Sequence, residues 1–240
     1  MTDKRITLVT GASRGIGYAA AKALAAAGHH VVAVARTQGG LEALDDAITQ
    51  AGGTCTLVPM DLREFDQIDR LGEALAQRYG RLDGMLVNAA VLGAITPANH
   101  TKPADWEQIV DVNITAPYRM VRAFDPLLRA SPSGRAVFVT SSVARAPRAY
   151  WGAYAASKAA LETFALCWAD EIDNVSDIKV GLLNPGGTRT QMRAKAMPGE
   201  DPSALPEPSD IAPLIVEMLG AGWDGAQGQL VSYRDWAAAR

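Results

Sequence analysis

Cysteine is nearly absent from this chain, whose 240 residues include only Cys55 and Cys167. Without a CxxC pair or a Cys/His cluster, neither a disulfide framework nor a zinc site is encoded, and no metal is expected. Two buried thiols in a reducing compartment are the expectation. An excess of one charge is equally lacking. Lys and Arg number 23 against 26 Asp and Glu, a net charge of -3, so the basic footprint needed to bind nucleic acid is missing. No apolar run approaches the ~18 residues of a membrane span, and no secretory h-region precedes the first β-prone run. A chain without a membrane partner, located in the cytoplasm, is expected. Also missing are Gly/Ser/Pro linkers and repeats at solenoid period, which points to a single domain over 1–240.

What is present is alternation. Short apolar runs at 5–10, 30–36, 54–59, 83–88, 134–141 and 178–184 read as strands. Between them, 16–29, 41–50, 65–79, 103–128 and 150–174 read as helices. The strand runs show little polar alternation, as strands covered on both faces do. Strand, helix, strand at this spacing predicts an α/β, doubly wound Rossmann fold, with one parallel sheet of about seven strands and helices on both faces. The exception is 197–208, where Pro198, Pro202, Pro206 and Pro208 interrupt any helix ahead of a cap at Ser209-Asp210. Long irregular excursions in compact domains are often lids, and 189–209 is assigned as one.

The run Thr10-Gly11-Ala12-Ser13-Arg14-Gly15-Ile16-Gly17 joins the first strand to the first helix. There Gly11 permits a tight turn, Gly15 lets backbone approach a phosphate, and Gly17 lets the helix pack close to the sheet. The helix N-terminus then offers unpaired N–H groups to a pyrophosphate. Gly11, Ser13, Arg14, Gly15, Ile16 and Gly17 are the candidate phosphate-binding residues. No Gly-Lys-Ser/Thr follows, which excludes a P-loop. Arg36 ends the second strand, where an acidic residue would accept from an adenosine 2′-OH and an arginine can grip a 2′-phosphate. With Arg14 able to converge on the same phosphate, the sequence favours NADP(H) over NAD. Farther on, Tyr154 and Lys158 stand at i and i+4, on one helix face, and Ser141 ends the preceding strand at the sheet's carboxyl edge. A nearby ammonium favours phenolate, and lowering a tyrosine pKa from about 10 toward 7 takes about 4 kcal/mol. Tyr154 is therefore a candidate acid or base.

With these motifs in order, the sequence resembles the short-chain dehydrogenase/reductase family, in its short single-domain, 3-oxoacyl-acyl-carrier-protein-reductase-like branch. The glycine loop, Asp61-Leu62, Asn88-Ala89-Ala90, Asn113, Ser141, Tyr154-x-x-x-Lys158 and Pro185-Gly186 leading to Thr190 cover nearly the whole chain. The resemblance implies that Tyr154 gives a proton to a carbonyl oxygen as hydride arrives from the nicotinamide, and that Ser141 hydrogen-bonds that oxygen. Lys158 would hold the nicotinamide ribose, and Asn113 would anchor a water that feeds protons to Lys158. Asp61, with Leu62, would meet the adenine, and Asn88 and Ala89 the adenosine ribose. Pro185 and Gly186 would lead to Thr188 and Thr190 at the carboxamide. Ser141 lies thirteen residues before Tyr154, as family members space it, with Ser142 as an alternative. The family's Asn-Asn-Ala-Gly is Asn88-Ala89-Ala90-Val91 here, placing a side chain where glycine usually stands.

The implied activity is an NADP(H)-dependent interconversion of a ketone and a secondary alcohol, possibly on 3-oxoacyl thioesters. The alternative is a catalytically silent NADP(H)-binding regulator. A small carbonyl or alcohol is the expected partner, with a homodimer or homotetramer built through the two long helices. Val91 to Thr96, Arg145 to Trp151 and the proline-rich segment should wall the pocket, where Tyr150 and Trp151 could stack on a substrate. Arg145, Arg148, Arg193 and Lys195 cluster near its mouth as candidate contacts for an anionic carrier.

Overall fold

The computed structural model describes residues 4–240. Seven parallel strands form one sheet in the order β3-β2-β1-β4-β5-β6-β7. They are β1 (Ile6–Thr10), β2 (His30–Ala35), β3 (Thr54–Pro59), β4 (Gly84–Val87), β5 (Arg135–Val139), β6 (Lys179–Asn184) and β7 (Gln229–Ser232). Side chains alternate across the sheet. Leu8, Val32, Met85, Phe138 and Leu182 therefore meet α3 (Phe65–Tyr79), α5 (Ala116–Arg129) and α6 (Gly152–Ile172) through Ile68, Phe124 and Trp168. Their neighbours Val9, Val31, Leu86, Val137 and Leu183 meet α1 (Gly15–Ala26), α2 (Gln38–Gln50) and α8 (Pro208–Leu219) through Leu24, Leu44 and Ile215. Both faces are covered, which is why the strands read as unbroken apolar runs. The doubly wound sheet is as the sequence predicts.

After β3 the chain returns to pair β4 against the other side of β1, with Leu8 opposite Met85 and Val9 opposite Leu86. This reversal opens a crevice at the carboxyl ends of β1 and β4, where open α/β sheets bind ligands. The turns that follow all the predicted site strands converge on this edge.

Four local expectations are corrected. The long helix predicted over 103–128 is α4 (Pro103–Val110) and α5 joined by a π turn over Asp111–Thr115. Pro117 has no N–H for the Asn113 carbonyl four residues back, and Ala116 donates five residues back to Asp111. The cap of α8 is Glu207, not Ser209-Asp210. Its carboxylate accepts from the N3 backbone while Asp210 accepts from Glu207 N at 2.7 Å, a capping box around Pro208 at N1. Third, 189–209 is not wholly irregular, because α7 (Gln191–Ala196) and a 3-10 turn at Pro202–Ala204 lie within it. Finally, the thiols are not both buried. Cys167 is exposed, while Cys55 is half-buried and donates to Asp45 Oδ1 at 3.0 Å. Burial, with that carboxylate beside it, pushes the Cys55 thiol up to about 12.

At the opposite edge of the sheet His29 is buried, its Nδ1 2.8 Å from Thr7 Oγ1. Burial, reinforced by Arg5, pushes its pKa down to about 4. The unfolded imidazole takes up its proton near 6.5 and the folded one only near 4, so this contribution to stability is complete above 6.5 and lost as pH falls toward 4. Urea unfolding at pH 7 and pH 4.5 should show His29→Gln losing less stability on acidification than the parent, by up to about 3 kcal/mol. Equal losses would place the acid sensitivity elsewhere.

Candidate active site at the carboxyl edge of the sheet

The glycine loop closes onto the crevice. A β-carbon at position 17 would lie 2.3 Å from the Gly11 carbonyl oxygen and 2.6 Å from Asn88 Nδ2, so only glycine allows α1 to approach this closely. Asn88 Nδ2 donates to Thr10 O at 2.8 Å, and Thr10 Oγ1 accepts from the Asn88 and Ala89 amides at 3.0 and 3.1 Å. Asn88 and Ala89 therefore fasten β4 to β1 at the switch point. Gly15 has φ +58 and only the Thr190 side chain near its open side. No side chain caps α1 and no acidic residue sits in its first turn, so its leading N–H groups and positive dipole end suit an anion such as a pyrophosphate. Ser13 packs beside Gly40 at the start of α2.

Arg36 follows β2 directly and is half-exposed, with Nη1 4.0 Å from Asp61 Oδ2. Arg63, which sequence reasoning missed, grips the same carboxylate through Nη2 at 2.7 Å and Nε at 3.2 Å. The Arg63 hydrogen bonds, with Arg36 beyond, hold the Asp61 carboxyl below its usual value. The signal available was an arginine two residues past the aspartate, close enough for its own amide to donate to Asp61 Oδ1 at 3.0 Å. Arg14 does not join them. It crosses to α7 and donates to Gln191 Oε1 at 2.9 Å. The convergence expected of Arg14 and Arg36 is replaced by Arg36 and Arg63 around Asp61. The Leu62 side chain is buried in the core, so a ligand contact there falls to its main chain.

Beyond β6, Gly186 takes φ +68 and donates its amide to Asn184 Oδ1. Thr188 is buried and donates to Pro185 O at 3.3 Å. Thr190 caps α7, accepting from Arg193 N at 3.2 Å, and its methyl faces Gly15. The segment after β6 is thereby seated on the glycine loop.

On α6, Tyr154 and Lys158 are both buried on the face turned to the end of β5. The Lys158 ammonium donates to Val139 O at 2.8 Å and stands 5.9 Å from the Tyr154 ring centre. The Ser141 side chain lies by the Tyr154 hydroxyl and draws its pKa down, whereas Ser142 is exposed in the following 3-10 turn. Burial pushes the Tyr154 hydroxyl up to about 12 against the pull of Ser141. Burial likewise pushes Lys158 down to about 8, opposed by Glu162. The lowering of the Tyr154 pKa expected from a nearby ammonium is not seen, because burial raises it and Ser141 is what opposes that rise. A neutral tyrosine beside an ammonium is instead poised to donate a proton.

Asn113 occupies the π turn, buried. Its Oδ1 accepts from Val91 N at 2.8 Å, and its Nδ2 donates to Val91 O and to Ser157 Oγ, both at 2.9 Å. Ser157 in turn donates to Tyr154 O at 2.8 Å. Both amide hydrogens are thus engaged. Since Asn113 grips only the backbone of residue 91, valine there is tolerated where glycine was expected.

Around the mouth, Trp151 lies edge-on to Tyr154 with ring centres 6.0 Å apart, packing against the tyrosine. Tyr150 is 59% exposed and, among the described residues, is the one non-glycine residue with positive φ, at 75°. Arg145, though exposed, and Arg193 are engaged by Glu162 and Glu200, leaving exposed Arg148 and Lys195 as the two of the four basic residues outside these ion pairs. Among the described residues no group of three His, Cys, Asp or Glu side chains could hold a metal.

The short chain dehydrogenase family model matches residues 5–201. An uncharacterized oxidoreductase of Escherichia coli, YciK, is 39% identical over 231 residues, covering 92% of this chain and 88% of that protein. A 3-oxoacyl-[acyl-carrier-protein] reductase from Synechocystis is 32% identical over 189 residues, 78% of this chain and 76% of its own length. A solved structure described as a short chain dehydrogenase from Shigella flexneri, complexed with NADP, superposes with a TM-score of 0.92 at 38% identity and covers 97% of this chain and 98% of its own.

Proposed function

Because this chain belongs to the short chain dehydrogenase family and is an oxidoreductase, we propose that it uses NADP(H) to interconvert a ketone and a secondary alcohol, with 3-oxoacyl thioesters as substrates. The observation that carries the reading is the alignment of Ser141, Tyr154 and Lys158 beside the uncapped start of α1 at one edge of the sheet. The NADP-bound relative and the 3-oxoacyl reductase support the cofactor and the substrate class.

The glycine loop, with Gly11, Ser13, Arg14, Gly15, Ile16 and Gly17, would hold the pyrophosphate, and Arg36 with Arg63 the 2′-phosphate. Asp61, Leu62, Asn88 and Ala89 would line the adenosine, and Pro185, Gly186, Thr188 and Thr190 the nicotinamide end. Bound there, the cofactor supplies the hydride. Tyr154 protonates the carbonyl oxygen, Ser141 orients that oxygen, and Lys158 stabilises the phenolate left behind by its charge. Asn113 shapes the π turn and, through its carbonyl and the remaining lone pair of Oδ1, holds a water on the path that reprotonates Lys158. The single domain over 1–240 carries the whole site, with 189–209 as its lid. Exposed Tyr118, edge-on to Phe164 at 6.1 Å, and exposed Leu166 lie on α5 and α6 and support a homodimer or homotetramer through these helices. Free Cys55 and Cys167 suit the cytoplasm, and no helix among the described residues is long and apolar enough to cross a membrane.

A panel of carbonyl compounds followed by NADPH absorbance should show turnover of a 3-oxoacyl thioester. Reversing Arg148 and Lys195 to Glu should raise its KM several-fold and spare a small neutral ketone, as surface charges of modest individual strength do. Equal effects on both substrates would remove the anionic carrier from the reading. NADPH binding without turnover of any carbonyl would favour a regulator.

A further inference from the structure

Tyr154, Lys158 and Glu162 are spaced i, i+4, i+8 on α6 and form one stripe facing the end of β5. Each has a partner among three consecutive residues there. Tyr154 meets Ser141, Lys158 meets Val139 O, and Glu162 Oε1 accepts from Thr140 Oγ1 at 2.7 Å. The stripe is zipped to the strand, and its third member has no place in the proposed proton transfer. Glu162 is 6% exposed, and an acidic side chain is rarely kept that deep unless paired. Its second oxygen, Oε2, accepts from Arg145 Nε at 2.7 Å. Arg145 follows the 3-10 turn after Ser141, so one buried carboxylate holds both sides of that turn.

We propose that Glu162 is a positioning residue for the Ser141–Tyr154–Lys158 group: it clamps the turn bearing Ser141 against α6 and faces Lys158 with a fixed negative charge shared with Arg145. The chemical role of Lys158 rests on the oxidoreductase reading, while the clamp and the charge do not. Lys158 faces Tyr154 and Glu162 on its own helix and the Val139 carbonyl from β5. The π turn packed against α6 contributes Asn113, which does not titrate, and the turn after β5 contributes Arg145 through Glu162. Burial drives Lys158 toward neutrality and Glu162 is the charge that opposes it. Arg145 competes for that charge from outside.

The two partners therefore have opposite signs. In the full-length protein labelled with 13C-lysine, the Lys158 signal, identified by its loss in Lys158→Met, should titrate about one pH unit lower in Glu162→Gln, as loss of an opposite charge one helical turn away implies. In Arg145→Gln it should titrate higher than in the parent. The alkaline limb of kcat for carbonyl reduction should move in the same two directions, with about a tenfold loss in Glu162→Gln one unit above the parent limb. A merely structural role would lower the unfolding temperature in both variants without opposite shifts, and an unmoved Lys158 titration in either variant overturns the proposal. If Glu162→Gln does not fold, Arg145→Gln alone decides through the same signal. Opposite NMR shifts in a protein that reduces no carbonyl would sink the carbonyl-reduction reading and leave the positioning role standing.

Discussion

Replacing Tyr154 by Phe is expected to lower kcat/KM for carbonyl reduction about a thousandfold, within the range a general acid contributes, while NADPH affinity stays nearly unchanged. The substitution removes one oxygen and keeps the ring, which packs edge-on to Trp151 beside Val143 and Ala155. Fold and crevice should therefore persist. What disappears is a hydroxyl held neutral by burial, with a pKa pushed up to about 12, next to an ammonium available to stabilise its conjugate base. Both groups are buried, so the interaction between them acts without the screening that weakens surface pairs. Steady-state rates for the chemistry, with quenching of tryptophan fluorescence for the binding, separate the two effects. Activity within tenfold of the parent would mean that another group delivers the proton.

The second large effect belongs to Arg36. Arg36→Asp should reverse a preference for NADPH over NADH, shifting the ratio of their kcat/KM values about a hundredfold. Hydrogen bonds to a charged group contribute roughly 1.5–3 kcal/mol, and the new carboxylate adds repulsion toward a phosphate. The side chain is 52% exposed, which limits its Coulombic strength, and Arg63 remains across Asp61, so affinity for the phosphate should weaken without vanishing. Comparing both cofactors in parent and variant tests this. A parent that already prefers NADH would refute the phosphate reading whatever the variant does.

The sheet, its two covered faces and the glycine loop were readable from periodicity because each depends on neighbours close in sequence. Tyr154 and Lys158 were readable for the same reason, being one helical turn apart. The features that escaped depend on reach across the fold or on burial. Arg145 and Glu162 are seventeen residues apart and meet only after α6 packs on β5. Arg193, a candidate contact for an anionic carrier by its place in the sequence, folds back onto Glu200 with two hydrogen bonds. The direction of the Tyr154 shift depended on how completely the helix excludes water, which spacing does not state. The cap of α8 was misplaced by two residues because an acidic residue ahead of Pro208 outcompeted the serine behind it. The π turn had a signal in Pro117, but a proline in the first turn of a helix is ordinary, and only the break at Asn113 gave it another meaning.

That π turn also restricts how the gene can change. The turn holds one residue more than an α turn within nearly the same rotation, so deleting one residue between 111 and 115 would restore ordinary geometry and leave Met120, Phe124 and Leu128 in the core. The loss would fall instead on the grip of Asn113 on Val91 and Ser157. A further insertion, by contrast, would turn the core face of α5 by about 100°. Shortening the segment would thus cost the site and lengthening it the core, although it lies within a long helix where substitutions at exposed positions cost little.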